Sequence, residues 1–213
     1  MSDNSITSNN YDIIPENTAI SNGVSKSTRL LIESLENNEL EDTKDFKILD
    51  YGCGLLRNTK ELSLHSKKVD ILDTTKQIER IKNKEKCYRG SYTIESNILP
   101  NNYYHRILCS FVINVIEKEE DRQEVIKRIY KCLKPNGIAF IEVRNKNFVK
   151  KLKNFEKMLD GSCVIGNGKK RTYQHPYTKK EFVEFVNSIN NVDFNIMDTK
   201  TGSDSIILVL RKN

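Results

Sequence analysis

Nowhere in these 213 residues do the roughly 20 consecutive apolar residues of a membrane helix run together, so no membrane span is expected. The N-terminal stretch MSDNSITSNNYDIIPEN lacks a basic segment followed by an apolar one. That removes the signature of a secretory leader and predicts a cytoplasmic location. No C-x-x-C pair occurs, and the five cysteines (Cys53, Cys87, Cys109, Cys132, Cys163) are odd in number and scattered. This argues against a disulfide framework and a zinc site, leaving reduced thiols and no expected metal. No internal repeat and no linker divides the chain, so one domain is expected.

What is present is ordinary for a globular protein: 37% hydrophobic and 30% charged residues, in a chain long enough to bury one substantial core. The formal charge of +6 is unevenly spread. The first 46 residues are acidic on balance, whereas eleven basic residues stand between Arg144 and Lys180, with Glu156 and Asp160 as the only acids. Such a segment can face an anionic partner such as nucleic acid, or simply be a solvated face; no nucleic-acid module signature accompanies it.

Apolar periodicity then sets out alternating elements. The first twenty residues, rich in Asn and Ser, read as mobile, and Ser25 can cap a helix whose Leu31 and Leu35 share a face. Strands are expected at FKILDYG, KKVDILD, around Cys87 to Ile94, at HRILCSFVINVI and at IAFIEVR, with helices between them. EKEEDRQEVIKRIYKCLKPNG is the clearest helix, with acids in its first turn and Lys134-Pro135-Asn136-Gly137 as its stop. After the basic stretch, TKKEFVEFVNSI reads as a helix, and FNIMDT and DSIILVLRKN as two strands joined by a short turn. Helices between strands imply a doubly wound α/β fold with a mostly parallel sheet, and the last pair an antiparallel C-terminal hairpin at its end.

In such a sheet ligands bind beyond the carboxyl ends of the strands, at the switch point of the connections. There the first strand runs into D-x-G-x-G, Asp50 to Gly54. Glycines at 52 and 54 leave no Cβ between backbone and ligand, and the helix starting near Asn58 points free N–H groups at the same place. Asp73 closes the second strand, where a carboxylate can accept both hydroxyls of a ribose. A dinucleotide loop would carry a third glycine at the position of Arg57, whose side chain would crowd a pyrophosphate. Asp50 suggests instead a ligand with a cationic amino group, such as S-adenosylmethionine.

The runs ILDYGCGLLRNTKEL, VDILDTTKQI and HRILCSFVINVIE…LKPNGIAFIEV together resemble the motifs of the class I S-adenosylmethionine-dependent methyltransferases, over roughly residues 46 to 210. DYGCG and FVINVIE…DR are more loosely similar to a methyltransferase subgroup associated with bacterial DNA-modification loci. The resemblance implies a Rossmann-like, seven-stranded methyltransferase fold over residues 46–213, after a mobile, helix-capped segment 1–45, with 145–177 as an acceptor-side insertion. It puts Asp50, Gly52, Cys53 and Gly54 around the methionine moiety of the cofactor, Asp73 and Thr74 at the ribose, Glu95 and Ser96 at the adenine edge, and Phe111 beside the transferable methyl. Leu56 and Asn136 depart from glycines usual in the family, and His105 from an acid.

A base is needed only if the acceptor holds a proton; His175, flanked by Tyr173 and Tyr177, and Asn114 are the candidate catalytic residues, with Tyr173 beside the histidine. CSFV at the fourth strand is not the D/N-P-P-Y/F motif of enzymes acting on exocyclic base nitrogens in DNA, and no cysteine follows a proline as ring-carbon methylation of cytosine prefers. A small molecule, RNA or protein is left as acceptor. Two other readings stay open at this level: a catalytically silent binding module of the same fold, and an NAD-dependent oxidoreductase.

Overall fold

The structure, a computed structural model, describes residues 18, 23–37, 43–84, 86–96, 98–166 and 171–213. Most of the predicted mobile N-terminus lies outside the described residues. Helix α1 (Lys26–Glu36) opens as expected on Ser25, whose side chain accepts the Thr28 N–H. Its buried Leu31, Ile32 and Leu35 pack with Phe46, Leu62 and Phe140 on one face of the central sheet.

That sheet has seven strands. β1 (Ile48–Tyr51), β2 (Val69–Asp73), β3 (Gly90–Thr93), β4 (Tyr104–Ser110) and β5 (Leu133–Arg144) are parallel, and α2 (Arg57–His65), α3 (Thr75–Ile81) and α4 (Glu119–Cys132) connect them. All four residues of β1 are buried, as a strand covered on both faces requires. After β5 come α5 (Lys146–Lys150), the short strands β6 (Phe155–Lys157), β7 (Cys163–Ile165) and β8 (Thr172–Gln174), helix α6 (Lys179–Asn187), and β9 (Phe194–Thr201) and β10 (Ser205–Lys212). The strand order is β3-β2-β1-β4-β5-β10-β9. The chain moves outward one way from β1 and the other way from β4, so the switch point falls between these two strands.

The fold is therefore the expected Rossmann-like methyltransferase fold, with adjustments that have physical causes. The hairpin is antiparallel, but β10 lies between β5 and β9, pairing antiparallel with both. Its run SIILVL is buried almost throughout, while β9 alternates and forms the edge. The fourth strand ends at Ser110, because Phe111 takes φ of 60° and Ile113–Val115 form a 3-10 turn. Between β5 and α6 the chain builds a separate antiparallel sheet, β6-β7-β8. Strands of three residues carry too little periodicity to be read from sequence.

Candidate active site

The turn after β1 is held from below. The N–H groups of Gly52 and Cys53 both donate to the carbonyl of Leu72, at 2.7 and 3.2 Å, and the Gly54 N–H donates to Oδ2 of Asp73 at 2.8 Å. The same carboxylate takes the Thr74 N–H on Oδ1 at 2.8 Å. Asp73 thus ties the end of β2 to the glycine loop, nineteen residues away in sequence. Gly52 has φ of 80°, and a Cβ there would lie 2.2 Å from Cγ2 of Val112. Only glycine fits this position. Gly54 is also left-handed, with φ of 52°, and its carbonyl accepts from Nε2 of Gln77 at 2.5 Å.

Above this loop lies a cleft of about 390 Å³, within the range of small-ligand sites. Its floor is the loop from Gly52 to Leu55, its β2 side Asp73, Thr74 and Gln77, and its β4 side Ser110 to Val112 with Asn114. The far wall comes from Arg144 and Phe148 and from the small sheet, through Ile165, Thr172 and Gln174. Arg144 is sandwiched between two rings, with its guanidinium carbon 4.1 Å from the Phe111 centroid and 4.3 Å from that of Phe148. Burial, with the neighbouring Arg57 charge adding to it, lowers the pKa of Arg144 from its ordinary value.

Of the residues singled out in the sequence, Gly52, Cys53, Gly54, Asp73, Thr74, Phe111 and Asn114 line this one cleft. Asp50 does not line it. It is buried beneath the loop, where Oδ2 accepts the Thr59 hydroxyl at 2.6 Å and Oδ1 has no partner among the described residues. Burial, opposed by that hydrogen bond and assisted by Asp73, raises its pKa to about 6. The Cys53 thiol is pushed far up by burial and by the Asp50 and Asp73 charges, so it is not a nucleophile. Glu95 and Ser96 are exposed and outside the cleft. Glu95 accepts from the backbone and hydroxyl of Thr75, at 3.0 and 2.8 Å, and Ser96 folds back on Thr93. Their neighbour Ile94 is the residue that reaches the cleft.

His175 and Tyr173 are likewise not brought into the cleft. In β8 the side chain of Gln174 faces it, and alternation turns its neighbours away. His175 lines a second hollow with Arg122, Asp160 and Glu181, where burial first and the Arg122 charge next hold its pKa below the ordinary imidazole value. Its backbone N–H donates to the Asn114 carbonyl at 2.7 Å. Sequence reasoning missed Gln77, Ser110, Arg144, Phe148 and Gln174. Ser110 and Arg144 stood at the carboxyl ends of β4 and β5, where the strand rule points; Gln174 belongs to the small sheet and had no such signal.

Several cleft side chains hold polar atoms that are buried and unpartnered among the described residues: Nε of Arg57, Oε1 of Gln77, Oγ of Ser110 and Oδ1 of Asn114. Buried polar groups are normally satisfied, so this lining fits a polar ligand that completes it. S-adenosylmethionine offers hydroxyls for Asp73, amino and carboxylate groups for the loop and the arginines, and an apolar ring edge for Ile94.

A sheet of this order with a glycine loop and a carboxylate converging on one cleft defines a class I S-adenosylmethionine-dependent methyltransferase. An S-adenosylmethionine-dependent methyltransferase from Clostridium acetobutylicum has the same fold, with a TM-score of 0.67 and 16% identity over 90% of this chain and 93% of that one. So does the Burkholderia thailandensis 1,6-didemethyltoxoflavin-N1-methyltransferase, solved with S-adenosylhomocysteine, with a TM-score of 0.60 and 16% identity over 88% of this chain and 76% of that one. Residues 5–160 match the family model described as 25S rRNA (adenine(2142)-N(1))-methyltransferase, Bmt2, and the chain belongs to that family. It is also 28% identical over 164 residues to the uncharacterized protein YmfD of Escherichia coli, spanning 68% of this chain and 70% of that protein. The protein is an S-adenosylmethionine-dependent methyltransferase, which sets aside the oxidoreductase and silent-module readings. No helix among the described residues is long and apolar enough to cross a membrane.

Proposed function

We propose that this chain methylates ring nitrogen 1 of an adenine in ribosomal RNA, with cofactor and base meeting in the cleft above the glycine loop. One observation carries the reading beyond family membership: a single cleft joins the Gly52–Gly54 loop and Asp73 to a second end built of Phe111, Arg144, Phe148 and the amides of Asn114 and Gln174. Flat rings, a guanidinium plane and amides are what an unstacked base needs.

Bound S-adenosylmethionine supplies a methyl group on a positively charged sulfur, a donor with its own leaving group. Asp73 holds the ribose, its carboxylate oriented by the Gly54 and Thr74 N–H groups at the edge of the cleft. Gly52 and Gly54 give the methionine portion room, Thr74 and Ile94 border the nucleoside, and Phe111 borders the reacting carbon. The Asp50 charge lies under the loop and favours the ammonium group above it. Nitrogen 1 of adenine carries a lone pair and no proton, so the chemistry asks these residues for in-line placement and exclusion of water rather than for a base. Such positioning is worth as much as about 7–11 kcal/mol of barrier. His175 and Tyr173 then act indirectly, His175 by fixing the Asn114 backbone.

The segment 145–177 forms the acceptor side in this reading, and the basic run from Arg144 to Lys180 follows the RNA backbone. A ribosomal substrate places the protein in the cytoplasm, where five free thiols remain reduced. The test is incubation of the purified chain with methyl-labelled S-adenosylmethionine and ribosomal RNA, followed by primer extension, which stops at an adenine methylated on its pairing edge. Label in RNA with a stop at one adenine is expected; label only in protein or metabolite fractions overturns the proposal.

A further inference from the structure

Asn114 and Gln174 come from different parts of the fold and meet in the cleft wall. Asn114 sits in the 3-10 turn after β4 and Gln174 in β8, and Nδ2 of Asn114 donates to Oε1 of Gln174 at 2.7 Å. The backbone bond from His175 to Asn114 stitches the same two segments. Both side chains are more than nine-tenths buried, at 1% and 7% exposure. Each amide carries one donor end and one acceptor end. The mutual bond uses one of each and leaves an acceptor, Oδ1 of Asn114, without a partner among the described residues, and a donor, Nε2 of Gln174, with no bond to any of them. Turning both amides over would again leave one donor and one acceptor, so the pair presents this couple whichever way it is assigned.

We infer that this amide pair reads the target base by its major-groove edge, Asn114 accepting from the 6-amino group of adenine and Gln174 donating to nitrogen 7. The inference rests on the adenine reading above. An enzyme that alkylates nitrogen 1 has to leave that atom open to the donor, so recognition by hydrogen bonds falls to the other edge. There adenine offers one donor and one acceptor, the complement of the pair. Guanine offers two acceptors on that edge, one of which would face the Asn114 oxygen across a desolvated wall. The pair thus selects adenine and turns its nitrogen 1 toward the cofactor end.

The test uses a short RNA substrate carrying adenosine, 7-deazaadenosine or 2,6-unsubstituted purine riboside at the methylated position, with wild type, Gln174→Leu and Asn114→Ala. For wild type, removing nitrogen 7 or the amino group should each lower kcat/KM about tenfold or more. Gln174→Leu should lose a similar factor on adenosine and be indifferent to 7-deazaadenosine; Asn114→Ala should be indifferent to loss of the amino group. Affinity for S-adenosylhomocysteine, measured alongside, should stay within about twofold in Gln174→Leu, which shows an intact cofactor end. A wild type that methylates adenosine and both analogues equally well overturns this inference and leaves the adenine reading standing. So do variants that lose activity while keeping the wild-type analogue pattern, which is the behaviour of a merely structural pair. A wild type that methylates no RNA adenine overturns both.

Discussion

At the residue scale, Asp50 and Asp73 were legible from one short motif and one strand end, yet they turn out to do different work. Asp50 is buried, with one oxygen on Thr59 and the other unpartnered among the described residues. Its folded pKa of about 6 exceeds the ordinary carboxylate value of 3.8, so between these values the folded state holds a proton that the unfolded state has released. Its contribution is therefore full below pH about 4 and is lost as pH rises toward 6, the opposite of a salt-bridged aspartate. Asp50→Asn should gain relative to wild type as pH goes from 4 to 7, by about 1–3 kcal/mol, in urea unfolding followed across that range. A difference that is flat with pH would mean that the carboxylate is already ionised without penalty. Asp73 is partly exposed to the cleft and accepts from Gly54 and Thr74. Asp73→Ala loses two backbone contacts and, in the proposed reading, the ribose contact, so calorimetric titration with S-adenosylhomocysteine should show affinity reduced by more than about tenfold. An unchanged affinity would remove Asp73 from the cofactor site.

At the scale of elements, the loop between β1 and α2 explains itself through what a side chain would meet. Gly52→Ala places a Cβ 2.2 Å from Cγ2 of Val112 at a φ of 80°. Overpacking and backbone strain together should cost about 2–4 kcal/mol, and thermal melts should show it. Adding Val112→Ala should relieve the clash and recover about half, because the strain stays. No recovery would mean that the loop, rather than Val112, sets the limit. Leu56 is the instructive departure. Where a glycine is usual, leucine takes φ of 65° at the start of α2 and is fully buried with Cys53, Ile71 and Ile81. A left-handed leucine costs about 1–2 kcal/mol, and burying its side chain returns about 1.5–3 kcal/mol. The local cost is seen in the sequence; the compensating pocket exists only after β2 and α3 pack against it.

For the whole molecule, Glu142 joins three distant segments. Buried in β5, it accepts the Ser27 N–H and hydroxyl on Oε2, at 3.0 and 2.8 Å, and the Ser205 hydroxyl on Oε1 at 2.6 Å. One carboxylate thus anchors the N-terminal end of α1, where negative charge is favoured, and the first residue of β10. Glu142→Ala leaves buried donors unpaired and should lower stability by about 3 kcal/mol in denaturant unfolding, with Glu142→Gln recovering part of it. A loss below about 1 kcal/mol would mean that water replaces the carboxylate and that α1 is held by its apolar face alone.

What the sequence determined by itself was local. Apolar runs bounded by glycines and charged turns marked the strands and helices, and the two glycines and Asp73 pointed to the loop and strand end that line the cleft, because each of these signals lies within a few residues of its cause. The tertiary structure alone decided that β10 slides between β5 and β9, that two of the three short strands, β7 and β8, wall the cleft, and that Gln174 of β8 turns inward while His175, just after it, lines another hollow. These outcomes depend on pairings between residues far apart in the chain, and a side chain's direction in a three-residue strand is set by its neighbours in the sheet rather than by its own pattern.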